Sequence, residues 1–91
     1  MQFEWDPQKA IINFQKHGVS FREASTVFQD TLSMTYPDQD HSTGESRYVM
    51  IGLSRYGQLL VIAHTERANR IRIISARRAT RNEQRFYEED D

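Results

Sequence analysis

The chain has no cysteine, only two prolines, and no apolar run longer than the five residues 59–63. Without cysteine, disulfides, thiolate zinc sites and thiol nucleophiles are excluded. A run of five is far shorter than the roughly 20 apolar residues of a membrane-spanning helix. The opening "MQFEWDPQKA" contains acids and lacks the apolar segment of a signal peptide. These absences predict a cytoplasmic protein that is not held in a membrane.

The length of 91 residues predicts a single domain over 1–91, because no repeat, low-complexity tract or linker divides the chain. A chain this short buries a modest fraction of its surface, so its core is thin. We therefore expect a partner or an oligomer to add stability.

The formal net charge of −1 hides an uneven distribution. Residues 1–46 carry three cations and seven acids, residues 47–87 carry nine arginines and two acids, and residues 88–91 are all acidic. Arginine forms planar bidentate contacts with phosphates and carboxylates. The arginine-rich half therefore predicts binding of nucleic acid or of an acidic protein. The alternative, charge that protects a sheet edge from aggregation, explains one or two arginines better than nine.

Local signals mark three helices. Asp6 before Pro7 is a favourable helix start, and Gly18 is a favourable stop. The stretch "SFRE", 20–23, has the spacing of a capping box and predicts a second, short helix. The stretch "TRNE", 80–83, has the same spacing and predicts a last helix that extends to about Tyr87.

Between the second and third helices the sequence alternates as β-strands do. The four runs are "LSMTY", "RYVMIGLS", "QLLVIAHT" and "RIRIISAR", and a polar loop at 37–46 separates the first two. Short connections between the later runs predict antiparallel pairing. Phe3 and Trp5 alternate about Glu4 in a brief strand-like pattern. The predicted fold is α+β: two N-terminal helices, a four-stranded antiparallel sheet and a C-terminal helix, with the helices against one sheet face.

Two long blocks resemble a known family. "FEWDPQKAIINFQKHGVSFREA", 3–24, and "RIRIISARRATRNEQRFYEE", 70–89, resemble the opening and the close of the BrnT family of type II toxins, including Arg77, Glu83 and Tyr87. The resemblance implies a fold similar to RelE-type ribonucleases and an activity that cleaves RNA. It also implies a cognate DNA-binding antitoxin of the BrnA family, and hence a hetero-oligomer. Ala68 stands in the turn 67–69, where relatives are expected to have glycine.

RNA can be cut without a metal when its 2′-hydroxyl attacks the adjacent phosphorus. Such a site needs a base, an acid and cations that stabilise charge on the phosphate oxygens. The arginine-rich stretch and the last helix offer these groups. The candidate catalytic residues are His64, Glu66, Arg67, Arg72, Arg77 and Tyr87, and the candidate RNA-binding residues are Arg70, Arg78, Arg81 and Arg85.

Strand alternation limits which of these side chains can meet. His64 and Glu66 share one face of their strand, and Thr65 and Arg67 share the other. Whether His64 lies opposite Arg72 or Ile73 depends on the length of the turn, because a slip of one residue exchanges the faces. The sequence leaves both registers open.

Each candidate also has a structural interpretation. His64 can be a strand-end histidine with a structural hydrogen bond, and Glu66 can pair with a neighbouring arginine. Arg72 lies inside an isoleucine-rich strand, which favours an anionic ligand or a structural salt bridge. Tyr87 can pack the last helix on the sheet.

No cofactor or metal site is predicted. His17, His41 and His64 lack the spacing of metal ligands, and the loop at 37–46 lacks the order of ligands in an EF-hand. The first functional hypothesis is therefore a metal-independent toxin ribonuclease that is neutralised by an antitoxin. The alternatives are a non-catalytic antitoxin-binding module that takes part in transcriptional regulation, and a protein whose arginines bind an acidic partner.

Overall fold

The computed structural model describes residues 1–40 and 45–89. His41, part of the predicted polar loop and the last two residues of the acidic end lie outside the described residues. The helices and strands, in chain order, are β1 Gln2–Glu4, α1 Pro7–His17, α2 Phe21–Thr26, a 3₁₀ helix Val27–Gln29, β2 Met34–Pro37, β3 Arg47–Leu53, β4 Leu59–Arg67, β5 Arg70–Arg78 and α3 Arg81–Glu89.

The ends of α1 follow the predicted signals. The side chain of Asp6 accepts a hydrogen bond of 2.9 Å from the Gln8 amide, and Pro7 occupies the first helical position. Gly18 ends the helix at φ +70°, and its amide donates to the Phe14 carbonyl at 2.8 Å. Both predicted boundaries are confirmed.

The two capping boxes differ in their second half. At α3, Thr80 and Glu83 exchange both hydrogen bonds, of 2.8 and 3.2 Å. At α2, Ser20 accepts from the Glu23 amide at 3.0 Å, but the Glu23 carboxylate accepts from the Ser54 hydroxyl at 2.7 Å instead of turning back. The carboxylate of Glu23 therefore links α2 to the β3–β4 connection.

The sheet has five strands in the order β1-β5-β4-β3-β2. Strands β2 to β5 are antiparallel, as predicted, but β1 adds a fifth strand that is parallel to β5. The prediction of four antiparallel strands was therefore incomplete. The three residues of β1 are too few for a clear alternation, and their partners at 70–72 are distant in sequence.

One face of the sheet, which we call the core face, is covered by α1 and α2. Phe3 and Trp5 pack at its border, with their rings 5.1 Å from Phe28 and 6.0 Å from Phe21. Buried apolar side chains from the helices and from β3, β4 and β5 form the core: Val19, Phe21, Ala24, Val27, Met50, Leu60, Ile62, Ile73 and Ala76. No helix within the described residues is long and apolar enough to cross a membrane.

Helix α3 packs on the opposite face, so the prediction that all helices cover one face was wrong. Tyr36 and Arg77 alternate with residues of the core face, and both contact α3. The ring centroids of Tyr36 and Phe86 are 5.8 Å apart, and Arg77 pairs with Glu83 at 2.8 Å. The capping signal locates the start of α3 but contains no information about the face that it covers.

The two-residue turn at 68–69 fixes the register that the sequence left open, because it sets Arg67 opposite Arg70 and Thr65 opposite Arg72, and a β-bulge shifts the pairing further along the strands. Ala63 lies opposite Ser75, whereas His64 lies opposite Ile73, so β5 contains one extra residue at this point. Simple alternation would put Arg78 on the face of Arg72, but the extra residue puts Arg77 there instead, since Arg78 lies opposite the core residue Leu60. At the end of this hairpin, Ala68 and its neighbour at 69 both have positive φ, 46° and 69°. The tight two-residue turn forms although alanine pays a steric penalty there.

Candidate functional site

The face opposite the core face, which we call the arginine face, collects charged side chains from four neighbouring strands. Its members follow from strand alternation relative to the buried core residues. They are Glu4, Arg47, Thr65, Arg67, Arg70, Arg72 and Arg77.

Three side chains form a row across the centre of this face. Arg72 of β5 lies opposite Thr65 of β4, which lies opposite Arg47 of β3. Adjacent strands are roughly 4.8 Å apart, so the two arginine Cα atoms are about 10 Å apart. Thr65 is only 2% exposed and forms the floor between them. The row thus places two arginines on either side of a buried threonine.

Glu4 of β1 lies beside this row. One carboxylate oxygen is 3.0 Å from Nη1 of Arg72, and the other is 3.7 Å from Nη1 of Arg70. All three side chains are partly exposed. Ion pairs in such positions contribute only about 0–1 kcal/mol, so an external anion can compete for either arginine.

Arg67 forms a bidentate pair with Glu45, through bonds of 2.8 Å from Nε and 2.7 Å from Nη2. The hydrogen bonds lower the pKa of Glu45 and raise the pKa of Arg67. Both side chains are exposed to about half of their surface or somewhat less. The pair is therefore open to water and to ligands.

Arg77 is held differently, at the start of α3. It donates two hydrogen bonds to Glu83, of 2.8 and 2.9 Å. These bonds, with the one from the Thr80 amide, lower the pKa of Glu83 to about 2 despite its partial burial. The bidentate pair and the capping box share one carboxylate, so Arg77 fixes the N-terminus of α3 on the sheet.

Tyr87 fixes the other end of α3. Its hydroxyl donates to Oδ2 of Asp30 at 2.6 Å, and the same oxygen accepts from the Leu53 amide at 2.8 Å. Partial burial acts to raise the pKa of Asp30, but hydrogen bonds from the Leu53 amide, Tyr87 and the Leu32 amide outweigh it and lower the pKa. Asp30 thereby joins α3 to the end of β3.

His64 lies on the core face and is 3% exposed. Its ring is 4.9 Å from Phe28, edge to face, and 5.7 Å from Tyr48, stacked. Both ring nitrogens are buried without a hydrogen-bond partner among the described residues. Burial lowers the pKa of His64, opposed by the charge of Glu66. His64 is therefore a neutral, buried ring in the described conformation.

The remaining predicted residues lie at the margins. Glu66 is exposed near the β4–β5 turn and shares the core-face side of β4 with His64. Arg78 is exposed opposite Leu60 at the end of β5. Arg81 and Arg85 are exposed residues of α3, four positions apart and hence on one side of the helix.

The structure thus brings Arg67, Arg70 and Arg72 together and separates His64 from them by the thickness of the sheet, whereas Glu66, near the turn, lines one pocket with Arg70. Sequence reasoning did not single out Arg47 or Glu4. The available signal was alternation: Arg47 begins the strand "RYVMIGL", and Glu4 stands between two aromatic residues in "FEW". Within residues 1–40 and 45–89, no group of three or more histidine or acidic side chains is arranged to hold a metal ion.

A family model described as "Ribonuclease toxin, BrnT, of type II toxin-antitoxin system" matches residues 5–83. The crystal structure of the Brucella abortus ribonuclease toxin, BrnT, is similar to this chain with a TM-score of 0.70 and 24% sequence identity, over 89% of this chain and 99% of that one. At this identity, the structural match shows a shared fold. A search of curated protein sequences gave no match.

Proposed function

Since the chain belongs to the BrnT family of ribonuclease toxins of type II toxin–antitoxin systems, we propose that its arginine face binds RNA and cleaves it without a metal ion. The family match confirms the resemblance seen in the sequence. The observation that carries the proposal is the row of Arg72, Thr65 and Arg47, bordered by two further arginines on the same face of the sheet.

The proposed reaction uses the substrate's own 2′-hydroxyl as nucleophile. Its oxygen bonds to the adjacent phosphorus while the bond from phosphorus to the 5′-oxygen breaks. A base takes the proton of the 2′-hydroxyl, and an acid gives a proton to the departing 5′-oxygen. The products are a 2′,3′-cyclic phosphate and a 5′-hydroxyl. Negative charge grows on the phosphate oxygens in the transition state, and fixed guanidinium groups stabilise it there.

Arg72, with Arg67 and Arg70, is proposed to contact this phosphate and its neighbours. In the free protein, Glu4 and Glu45 form ion pairs with these guanidinium groups. Exposed ion pairs are weak, and phosphate matches the bidentate fork of arginine as carboxylate does. Bound RNA therefore exchanges with the internal carboxylates at small cost.

The base that takes the proton of the 2′-hydroxyl is proposed to be a carboxylate at the edge of the arginine row. His64 and Glu66 were predicted from the sequence as catalytic residues, and both assignments remain predictions. His64 is buried on the core face against Phe28 and Tyr48, so this ring can touch RNA only if that packing opens. Glu4 is a third candidate, because its carboxylate is 3.0 Å from Arg72 on the arginine face itself.

Arg77 and Tyr87 are proposed to contribute by holding α3 in position. Their hydrogen bonds to Glu83 and Asp30 hold α3 at both ends. The exposed Arg78, Arg81 and Arg85 are proposed to attract the RNA chain through long-range charge.

The direct test is digestion of RNA by the purified protein in EDTA, with analysis of the new ends. We expect cutting to continue and to leave a 2′,3′-cyclic phosphate and a 5′-hydroxyl. Loss of cutting in EDTA, with recovery on addition of magnesium or manganese, contradicts the metal-independent proposal. A protein that binds its antitoxin and cuts no RNA under any of these conditions is instead a non-catalytic module.

A type II toxin family implies an antitoxin. We propose that a BrnA-like, DNA-binding antitoxin covers part of the arginine face with an acidic segment, because the same cations attract both ligands. Binding is expected to raise the melting temperature by mass action and to block RNA binding. If the bound antitoxin leaves RNA affinity and cutting unchanged, it binds elsewhere.

A further inference from the structure

Two aromatic rings lie exposed on the arginine face, next to the arginine row. Tyr36 of β2 is 37% exposed and Phe86 of α3 is 47% exposed. Their ring centroids are 5.8 Å apart, with the rings tilted by 42°. Resting on the proposed function, we propose that Tyr36 and Phe86 form a nucleobase platform, on which one unpaired base of the bound RNA stacks.

The strand register places this platform within reach of the arginine row. Tyr36 lies opposite Val49, and Val49 is two residues from Arg47 on the same face of β3. Two residues along a strand and one strand across give about 8 Å between the Cα atoms of Tyr36 and Arg47. A nucleotide can therefore set its phosphate on the row and its base on the rings.

The ring of Phe86 is presented by a helix that is fixed on both sides of it. Three residues earlier, Glu83 is bound by Arg77, and one residue later, Tyr87 is bound to Asp30. These bonds hold α3 on the sheet before any ligand arrives. Because the rings need little ordering on binding, more of the stacking energy is retained as affinity.

The surroundings favour RNA over an apolar protein segment as the occupant. Phe86 follows the exposed Arg85, and Tyr36 neighbours the strand of Arg47. Proteins that bind single-stranded nucleic acid combine aromatic faces with cations along the backbone in this way. The base must be unpaired, because a paired base keeps its faces inside the helical stack.

The test compares two polyanions that differ in nucleobases. One probe is a single-stranded 2′-O-methyl oligonucleotide, which binds but lacks the attacking hydroxyl, and the other is inorganic polyphosphate of similar charge. We expect Phe86→Leu and Tyr36→Leu to bind the oligonucleotide roughly 10- to 100-fold more weakly. Both variants should bind polyphosphate as the wild type does. Phe86→Tyr keeps a ring and should bind the oligonucleotide normally.

Tyr56→Leu is the matched control, because Tyr56 is an aromatic residue with 71% exposure in the β3–β4 connection and belongs to neither β2 nor α3, which carry the two rings. Its affinity for both probes should stay at the wild-type value. Thermal melting of each variant, followed by circular dichroism, reports whether α3 and the fold are intact.

Three results overturn the platform while leaving RNA binding by the wild type in place. In the first, both leucine variants bind the oligonucleotide with the wild-type affinity. In the second, they lose the same affinity for the oligonucleotide and for polyphosphate. In the third, they lose antitoxin binding while their RNA binding stays intact. The second result means that the rings only hold α3, and the third means that the surface belongs to a protein partner. A wild-type protein that neither binds nor cuts RNA overturns the proposed function, and the platform with it.

Discussion

On the core face of β4, Leu60, Ile62 and His64 are almost completely buried, whereas its arginine face changes from the buried Val61 and Thr65 to the exposed Arg67. Neighbours along one strand thus belong to different environments. On the core face even a histidine lies among aromatic rings, and its pKa is lowered by burial. On the arginine face, charge is kept near water.

The difference indicates which face can exchange partners. Core contacts are fixed by close packing, and their loss leaves a cavity. The ion pairs of Arg67 and Arg72 are partly exposed and are individually weak. A sheet built in this way is held by close packing on one side, and we propose that a ligand replaces the internal carboxylates on the other side.

The largest stability effect is expected from adjacent leucines of β4. Leu60 is fully buried on the core face, and Leu59 is partly exposed on the arginine face beside α3. Leu60→Ala should lower the free energy of unfolding by about 2–5 kcal/mol, whereas Leu59→Ala should cost clearly less. Urea denaturation measures both. Equal losses of unfolding free energy in the two variants would show that the two faces do not differ in their contribution to stability.

A smaller effect is expected from the pair of Arg77 and Glu83. The folded-state pKa of Glu83, about 2, lies below its ordinary value of 4.5. The resulting stability is therefore present above pH 4.5 and is lost as pH falls towards 2. Because the pair is partly exposed, we expect about 1 kcal/mol after screening by solvent. Unfolding measured between pH 5 and 2 should show this loss in the wild type and much less of it in Glu83→Gln.

A further effect concerns the salt dependence of RNA binding. Each phosphate contact to a single strand contributes roughly 0.7 to the slope of log affinity against log salt. Arg67→Ala should lower that slope by about this amount, since Arg67 lies on the arginine face. Arg22→Ala, at an exposed position of α2 on the other side of the sheet, is the control and should leave the slope unchanged. Identical slopes for Arg67→Ala and the wild type would remove Arg67 from the RNA-binding surface.

The smallest effect is expected from His64 under mildly acidic conditions. Its folded-state pKa is lowered below 6.5 by burial, so the unfolded chain binds the proton first. Stability should therefore be constant above about pH 6.5 and should begin to fall below it. His64→Phe should remove this slope, because phenylalanine fits among the same rings without titrating. Unfolding curves between pH 8 and 5.5 measure it, and a slope that persists in the variant would assign it to another group.

The parts of the fold that were predicted correctly depend on local chemistry. Asp6, Pro7 and Gly18 delimit α1 through bonds within a few residues, and the box of Thr80 and Glu83 starts α3 in the same way. Strand β1 and the face of α3 depend instead on contacts between distant segments. The bulge at Ala63 and His64 has a local trace, since the adjacent Ile73 and Ile74 interrupt the alternation of β5 where the extra residue lies, but this trace does not specify the pairing across the two strands.

The candidate site divides in the same way, into features that the local sequence predicts and features that depend on distant segments. Arginine content alone indicated an anion-binding surface, and Arg67, Arg70 and Arg72 do lie together. The partners of these arginines could not be predicted, because Glu4 and Glu45 come from remote parts of the chain. The separation of His64 from Arg72 is a consequence of the register, and a change of one residue would have brought them to one face.

The central claim, that RNA is cut on the arginine face, is tested most directly by single-turnover cleavage in EDTA at saturating RNA. We predict that Arg72→Ala cuts roughly 10²- to 10³-fold more slowly than the wild type, that Arg72→Lys is intermediate because it keeps charge without the bidentate fork, and that Arg22→Ala is unchanged. A correctly folded Arg72→Ala protein that cuts at the wild-type rate would contradict the claim.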